Sequence, residues 1–189
     1  MKFFNEVIKS PQRSINLLSH YITEAALDKN AINIFLSHSS QDKKLLKDVI
    51  IFLESYDNVK VYIDKEDGDL PKATSPQTAE ILKKRISECQ KFIVLITDNT
   101  QKSKWIPWEL GLADVIKTKK NIALLPYSRA TYDFTTKQEY LGLYDKIIYN
   151  NFKNQAFEWL VKYSYPIKGK GTAVSLIKWL KQNNVILND

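Results

Sequence analysis

Cysteine and histidine, the residues that most often build disulfides and structural metal sites, are scarce in this sequence. Among 189 residues there is one cysteine, Cys89, and there are two histidines, His20 and His38. A single cysteine cannot form an intramolecular disulfide, and it leaves no cysteine cluster for a structural metal. The sequence therefore predicts no metal site, and a reducing compartment such as the cytoplasm is the expected location.

Long hydrophobic runs are also missing. No apolar stretch of the sequence approaches the roughly 20 residues that a membrane-spanning helix needs. The first residues lack the basic, apolar and small-residue order of a secretory signal peptide. We therefore expect neither a membrane anchor nor secretion.

Basic residues outnumber acidic ones and give a formal net charge of +7. They gather beside apolar helical stripes, in residues 43–47, 83–85 and 117–120. This placement is typical of solvated helix faces, and no nucleic-acid-binding motif accompanies it. We expect no nucleic-acid partner, and an anionic small molecule or protein partner is the alternative that stays open.

Short apolar runs alternate with helical stripes from residue 32 onward. The five runs that indicate strands are INIFLS (32–37), VKVYID (59–64), KFIVLIT (91–97), NIALLPY (121–127) and KIIYN (146–150). Strands separated by helices predict an α/β fold, in which a parallel sheet has helices on both faces. Ligands of such sheets bind beyond the carboxyl ends of the strands.

Further helical patterns flank this core. Ser10 and Pro11 make a good N-cap and first-turn pair before an apolar stripe that ends at Ala26. Apolar residues in 157–161 and 173–180 predict two C-terminal helices, whereas 128–145 has no clear period and indicates a long loop. The predicted organisation is an N-terminal helical extension (1–30), a core domain (31–150) and C-terminal helices packed on that core (151–189).

Three motifs follow one another along the predicted core. They are FLSHSSQD (35–42), VYIDKEDGDLP (61–71) and SKWIPWELG (103–111). In order and approximate spacing they resemble the three signature regions of Toll/interleukin-1 receptor (TIR) domains, and they look most like bacterial ones. The resemblance covers about residues 31–150. It implies the family's flavodoxin-like fold, a five-stranded parallel sheet of order 2-1-3-4-5.

The third motif holds a carboxylate, Glu109, in an otherwise apolar run. Enzymatic TIR domains place a catalytic glutamate in a Trp-x-x-x-Glu segment, here Trp105 to Glu109, and break the bond between nicotinamide and ribose in NAD. A positioned carboxylate can stabilise the oxocarbenium-like centre of that reaction. Pro107 fits a first helical turn and would put Glu109 in the same turn. The alternative role of Glu109 is therefore N-terminal capping or compensation of the helix dipole.

The tryptophans of this motif receive different roles. By resemblance, Trp105 walls the nicotinamide-ribose pocket and Ser103 belongs to the substrate-binding set. Trp108 is expected in the core, and core packing is also the alternative role for Trp105, because aromatic residues commonly pack at the start of a helix.

The remaining substrate-binding candidates follow the first two strands. Ser37 and His38 end the first strand, where donors can meet a phosphate or the adenosine part of a dinucleotide. Their alternative is a loop that only leads into a helix. Asp64 opens the segment 65–71, which by resemblance is mobile and borders the pocket. The alternative for Asp64 is a solvated acidic turn.

Two classes of function remain. The first is a TIR-domain enzyme that cleaves NAD, either to deplete it or to make a cyclic or conjugated ADP-ribose signal. A protein of this size resembles the stand-alone TIR component of Thoeris-type antiphage defence, which implies self-association and a downstream effector that senses the nucleotide. No Gly-rich dehydrogenase fingerprint is present, so NAD is expected as a consumed substrate and no cofactor is expected. The second class is a non-catalytic scaffold that acts through TIR–TIR assembly.

Overall fold

The computed structural model describes residues 1–8, 27, 29–64, 75–151, 156–165 and 172–182. At its centre is a seven-stranded sheet of order β2-β1-β3-β4-β5-β6-β7. The strands are β1 Ile32–Ser37, β2 Val59–Tyr62, β3 Lys91–Ile96, β4 Ile122–Pro126, β5 Asp145–Asn151, β6 Phe157–Lys162 and β7 Ala173–Ser175. The first five strands are parallel in the expected order 2-1-3-4-5, and the last two add antiparallel pairs beyond β5.

Helices cover both faces of the sheet. The α-helices of the described residues are α1 Phe4–Val7, α2 Lys43–Glu54, α3 Pro76–Glu88, α4 Trp105–Ile116, α5 Arg129–Lys137, α6 Glu139–Gly142 and α7 Leu176–Lys181. Helices α1, α2 and α7 pack on one face with Ile34 and Leu36 of β1, whereas α3 and α4 pack on the other with Phe35. Successive strand residues therefore alternate between two cores, because side chains along a strand point to opposite faces.

The register of the parallel strands fixes where the site can form. Ser37, the last residue of β1, pairs with Val94 of β3, and Ile96, the last residue of β3, pairs with Pro126 of β4. The three strands thus end at one edge of the sheet. The loops that follow them open onto this carboxyl edge, where ligands of open α/β sheets bind.

Local capping explains why two of the helices begin where they do. Ser75 accepts a hydrogen bond from the backbone N–H of Thr78, whose hydroxyl accepts one from the backbone N–H of Ser75, and Pro76 follows at the first helical position. Ser128 and Thr131 form the same reciprocal pair at the start of α5. Each pair satisfies two donors that a helix start leaves without partners.

The prediction of a helix over 157–161 is wrong. These residues form β6, which pairs antiparallel with β5 so that Val161 lies opposite Ile147. Trp159 and Val161 pack on the same core, at the two-residue period of a strand. A short apolar run fits either period, and pairing with β5 decided between them. The second predicted helix is shorter than expected, because 173–175 form β7 and only Leu176–Lys181 are helical.

The prediction of a long loop over 128–145 is also wrong, because α5 and α6 occupy most of it. Thr131 and Thr135 are buried one helical turn apart and form the inward face of α5. Because threonine is polar, these buried positions do not form a pattern of apolar residues at helical spacing, and the helix was not predicted.

Two other predicted features fall on parts of the chain outside the described residues. They are the N-terminal helix after Ser10 and Pro11 and the segment 65–71. Within the described ranges, none of the helices is long and apolar enough to cross a membrane.

A buried lysine joins the C-terminal helix to the amino end of the sheet. Lys91, the first residue of β3, is only 1% exposed and donates hydrogen bonds to Asn121 Oδ1 at 2.7 Å and to the carbonyl of Gln182 at 3.1 Å. Its Nζ also lies 4.7 Å from the ring centroid of Trp179 in α7. Burial, followed by the nearby charge of Lys117, lowers the pKa of Lys91 to about 8.

This pKa predicts a pH-dependent stability. Below pH 8 Lys91 is charged in both states, and the native state carries the cost of burying the charge. Between about pH 8 and 10 the native state releases the proton while the unfolded state keeps it, so stability rises. From pH 7.5 to 9 the wild type should gain on the order of 1 kcal/mol relative to Lys91→Met. Denaturant unfolding of both proteins at pH 7.5 and 9 measures this gain. If wild type and Lys91→Met differ in free energy of unfolding by the same amount at both pH values, the lowered pKa of Lys91 is contradicted.

Candidate functional site

The end of β1 meets helix α4 through one short hydrogen bond. Ser37 Oγ donates to Glu109 Oε2 at 2.6 Å, and both residues are buried. A distance of about 2.6 Å is typical of a hydroxyl that donates to an ionised carboxylate. The structure therefore brings together two predicted site residues that are far apart in the sequence, at the carboxyl edge of the sheet.

Glu109 lies further into its helix than expected. Helix α4 begins at Trp105, so Glu109 is the fifth helical residue, and the first turn holds no acidic residue. The prediction that Glu109 sits in the first turn is wrong, because the helix already starts two residues before Pro107. A capping or dipole role needs a first-turn position, so this geometry disfavours the alternative role of Glu109. Trp105 and Glu109 share one helix face, since they are four residues apart.

Trp105 and Trp108 form an edge-to-face pair beside Glu109. Their ring centroids are 5.4 Å apart and the rings are inclined at 86°. Trp105 is half-buried against the core under α3 and α4. The prediction of Trp108 in the core is wrong, because its side chain is 37% exposed. Ile106 and Leu110 face the core, and Trp108 lies between them in sequence and so on the other side of the helix.

His38 and Asp64 approach each other at the ends of β1 and β2. His38 is buried, and its Nδ1 lies 3.2 Å from the carbonyl oxygen of Leu36 and 3.9 Å from Asp64 Oδ1. The second contact is an ion pair only when the imidazole is protonated. Residues 65–71, which follow Asp64, lie outside the described residues. The structure thus places His38 and Asp64 together beside Ser37.

Ser103 has a structural partner at the start of α4. Its Oγ accepts a hydrogen bond from the backbone N–H of Ile106 at 3.3 Å. This contact satisfies one of the donors that the first helical turn leaves without a partner. The position of Ser103 is therefore explained by helix initiation, and any role in substrate binding would be additional.

A buried acid at this edge, Asp42, was not among the predicted site residues. Asp42 Oδ2 accepts a hydrogen bond from Thr97 Oγ1 at 2.7 Å, and Oδ1 accepts one from Asn99 Nδ2 at 2.7 Å. Asp42 ends the first motif, and Thr97 and Asn99 follow β3. The polar run TDNT directly after a buried strand was the signal that could have indicated this contact.

These side chains are suited to stabilising a positive charge. A carboxylate that is 2% exposed and accepts a hydrogen bond from a hydroxyl is held in one orientation and is largely shielded from water. In the part of the chain that the structure describes, no group of three His, Cys, Asp or Glu side chains could hold a metal ion.

Comparison with known families supports the fold and the motif order. The family model described as TIR domain matches residues 34–161. The chain belongs to the TIR domain family. The matched range includes most of β1, all of β2 to β5 and most of β6.

Known TIR relatives include proteins named for nucleotide chemistry. The chain is 35% identical over 187 residues to the Bacillus cereus (strain MSX-D12) protein named "Probable 3' cyclic ADP-D-ribose synthase ThsB'". The match covers 95% of this chain and 93% of that protein. It is 29% identical over 99 residues to a Cytobacillus dafuensis protein, TIR2, named as a candidate cyclic ADP-D-ribose synthase. That match spans 51% of this chain and 26% of the relative.

A solved structure also resembles this TIR domain. It is the Clostridium botulinum CMP N-glycosidase BcmB, at 26% identity and a TM-score of 0.39. The similarity covers 63% of this chain and 90% of that one.

The contact between Ser37 and Glu109 predicts a coupled effect on stability. Ser37→Ala removes one donor from a buried carboxylate and should lower the free energy of unfolding of this TIR domain by about 1.5 to 3 kcal/mol. In a Glu109→Gln background, Ser37→Ala should lower the free energy of unfolding by less, because a buried neutral amide that lacks a hydrogen bond is less unfavourable than a buried carboxylate that lacks one. Urea unfolding of the two single variants and the double variant measures the coupling. Additivity within about 0.5 kcal/mol would mean that the two side chains do not interact.

Proposed function

We propose that this TIR-domain protein is an enzyme that cleaves the bond between nicotinamide and ribose in NAD, with Glu109 as the catalytic carboxylate. The observation that carries the proposal is the buried contact of Glu109 with Ser37 at the carboxyl edge of the sheet. Both relatives have the words cyclic ADP-D-ribose synthase in their names, and this supports the same chemistry. We further propose a cyclic ADP-ribose as the product, which serves as a signal in bacterial antiphage defence.

In the proposed reaction the bond from ribose C1′ to the pyridine nitrogen breaks. Its electron pair leaves with nicotinamide, which becomes neutral, and the ribosyl centre becomes positive. The charge of Glu109 stabilises this developing cation, while the Ser37 hydroxyl holds the carboxylate in place. An oxygen nucleophile then bonds to C1′ and releases its proton. If the nucleophile is water the product is ADP-ribose, and if it is a hydroxyl of the same molecule the product is cyclic.

The other predicted residues line the proposed substrate site. Trp105 walls the nicotinamide-ribose pocket on the helix face that it shares with Glu109. His38 and Asp64 border the adjacent part of the same edge, and Ser103 holds the start of the helix that carries Trp105. NAD is the consumed substrate in this proposal, and no resident cofactor takes part in the step.

The proposal includes partners. Self-association of TIR domains completes the enzyme, a downstream effector senses the nucleotide product, and the cytoplasm supplies NAD.

The alternative function is a non-catalytic scaffold that acts through TIR–TIR assembly. One observation favours this alternative: Trp108 is 37% exposed and Val115 is 85% exposed on α4, and apolar side chains on a helix surface are suited to contact with another TIR domain.

The catalytic assignment predicts a large loss of rate without a loss of fold. Glu109→Gln keeps the side-chain volume but removes the charge that stabilises the ribosyl cation. Nicotinamide release from NAD should fall by roughly 100- to 1,000-fold, since this is the usual cost of one preorganised electrostatic group. Nicotinamide is measured by chromatography, and thermal melting of the same samples reports the fold.

A second glutamate provides a matched control. Glu54 ends α2, and its Oε1 accepts a hydrogen bond from the backbone N–H of Val61 at 2.9 Å, so it is also a partly buried carboxylate with a partner. It lies at the far end of α2 from the loop that follows β1. Glu54→Gln should therefore leave nicotinamide release within about twofold of the wild type. Equal rates for wild type and Glu109→Gln, in an active preparation, would rule out the catalytic role.

Self-association predicts a nonlinear dependence on protein concentration. If a neighbouring TIR domain completes the site, nicotinamide release per protein molecule should increase as the protein is concentrated, because association follows mass action. Initial rates are compared across a wide range of protein concentrations, with light scattering in parallel. A constant rate per molecule, from a protein that remains monomeric throughout, would exclude this requirement.

A further inference from the structure

Asp42 connects two loops at the carboxyl edge of the sheet. It ends a short 3₁₀ turn, Ser40–Asp42, between β1 and α2. Both of its carboxylate oxygens are engaged by the loop after β3, one by Thr97 Oγ1 and the other by Asn99 Nδ2, each at 2.7 Å. One side chain thus joins segments of the chain that are 55 to 57 residues apart.

The environment of Asp42 makes these two hydrogen bonds necessary. The residue is only 2% exposed, and a buried carboxylate is costly unless donors or charges compensate it. The position at the start of α2 contributes further, because the positive end of the helix dipole favours a negative charge. Loss of either donor would leave a buried charge with fewer partners, so the two loops are held strongly to one another.

The loop after β3 is itself ordered around the same hydroxyl. Thr97 Oγ1 accepts a hydrogen bond from the backbone N–H of Asn99 at 3.1 Å while it donates to Asp42. The backbone N–H of Thr97 donates to Thr100 Oγ1 at 2.8 Å. Asp42 therefore binds a loop whose own backbone is fixed, and movement of this loop would break several hydrogen bonds together.

Each of the joined segments carries half of the proposed site. The segment that ends at Asp42 begins with Ser37 and His38, and the segment that starts at Thr97 leads into α4 with Trp105 and Glu109. The hydrogen bond between Ser37 and Glu109 crosses the same gap. Asp42 provides a further connection between the two halves, beyond the ends of the paired strands β1 and β3.

We propose that Asp42 is a positioning residue that holds the two halves of the site together and thereby determines which nucleophile captures the ribosyl centre. This inference rests on the proposed function. After nicotinamide leaves with its electron pair, C1′ bonds either to water, which gives ADP-ribose and a proton, or to a hydroxyl of the same molecule, which gives a cyclic ADP-ribose and a proton. The cyclic outcome needs that hydroxyl to be held close to C1′, whereas water needs no such placement.

Capture of C1′ by a hydroxyl of the same molecule depends more strongly on geometry than capture by water does. Well-oriented groups in one molecule react with effective concentrations far above that of bulk water, but a misplacement of about 1 Å can lower the rate by roughly 100-fold. A site whose two halves separate slightly would still break the first bond, because Glu109 remains in the cleft. It would then lose the orientation of the hydroxyl and admit water, so more of the product would be ADP-ribose.

The ratio of ADP-ribose to cyclic product tests this role. Asp42→Asn removes the charge and places an amide group where two donors now point, and Thr97→Val removes one of those donors. Each should raise the ratio by roughly 10- to 100-fold relative to wild type. Thr97→Ser keeps the hydroxyl and should keep the wild-type ratio. The products of NAD are separated by chromatography after equal extents of nicotinamide release.

The product ratio does not depend on how much protein is folded, so a general loss of structure cannot imitate the effect. The matched control is Thr135→Val. Thr135 is buried and its hydroxyl donates to the carbonyl of Tyr132 at 2.7 Å within α5, so the change removes a buried threonine hydrogen bond outside the proposed site. Thr135→Val should lower the melting temperature and leave the ratio unchanged.

The outcomes separate this inference from the proposed function. A wild type that releases no nicotinamide from NAD under any protein concentration refutes both. A wild type that releases nicotinamide but yields only ADP-ribose refutes the positioning role and leaves NAD cleavage standing. An unchanged ratio in Thr97→Val, which retains the Asp42 charge and is the milder change, also refutes the positioning role. A raised ratio in Asp42→Asn and Thr97→Val, with Thr97→Ser and Thr135→Val at the wild-type value, supports it.

Discussion

Parallel pairing of β1 with β3 is the constraint on which the rest of the site depends. Because Ser37 lies opposite Val94, both strands end at the same edge of the sheet, and the chain that follows each strand starts there. Helix α4 then runs back along the sheet with Glu109 near its beginning, within reach of the Ser37 hydroxyl. An antiparallel pairing would have separated these two residues by the length of the strands. The site is therefore a consequence of sheet topology before it is a consequence of any one side chain.

The buried charges are divided between the two ends of the sheet. At the carboxyl edge the buried acids Glu109 and Asp42 each accept a hydrogen bond from a hydroxyl, on Ser37 and Thr97 respectively. At the amino end the buried base Lys91 has neutral partners and a lowered pKa. A cation that forms at the carboxyl edge thus meets fixed negative charge nearby and positive charge at a distance. Burial strengthens both effects, since water does not screen them fully.

The first five strands, their parallel pairing and the edge that holds the site could be predicted, because strand and helix periods alternate cleanly in the sequence. The order of these strands followed from the resemblance to TIR domains. Finer features could not be predicted. Residues 157–161 are extended because they pair with β5, and the local sequence pattern carries no information about this pairing. The exposure of Trp108 follows from its position on the helix face opposite Ile106 and Leu110, which an almost entirely apolar run does not reveal. The contacts of Asp42 depend on the three-dimensional register of two loops. The polar run after β3 indicates that this loop makes polar contacts, but it does not identify Asp42 as the partner.

The strands beyond β5 also determine how this sheet meets other molecules. In the described part of the chain the outermost strands are β2 and β7, with four and three residues, and β5 is covered by β6 along its length. Short outer strands expose few backbone groups for pairing, which protects a sheet from growth by addition of strands. These sheet edges therefore favour association through the side chains of helices and loops over association by added strands, and contacts between side chains can be tuned by single substitutions.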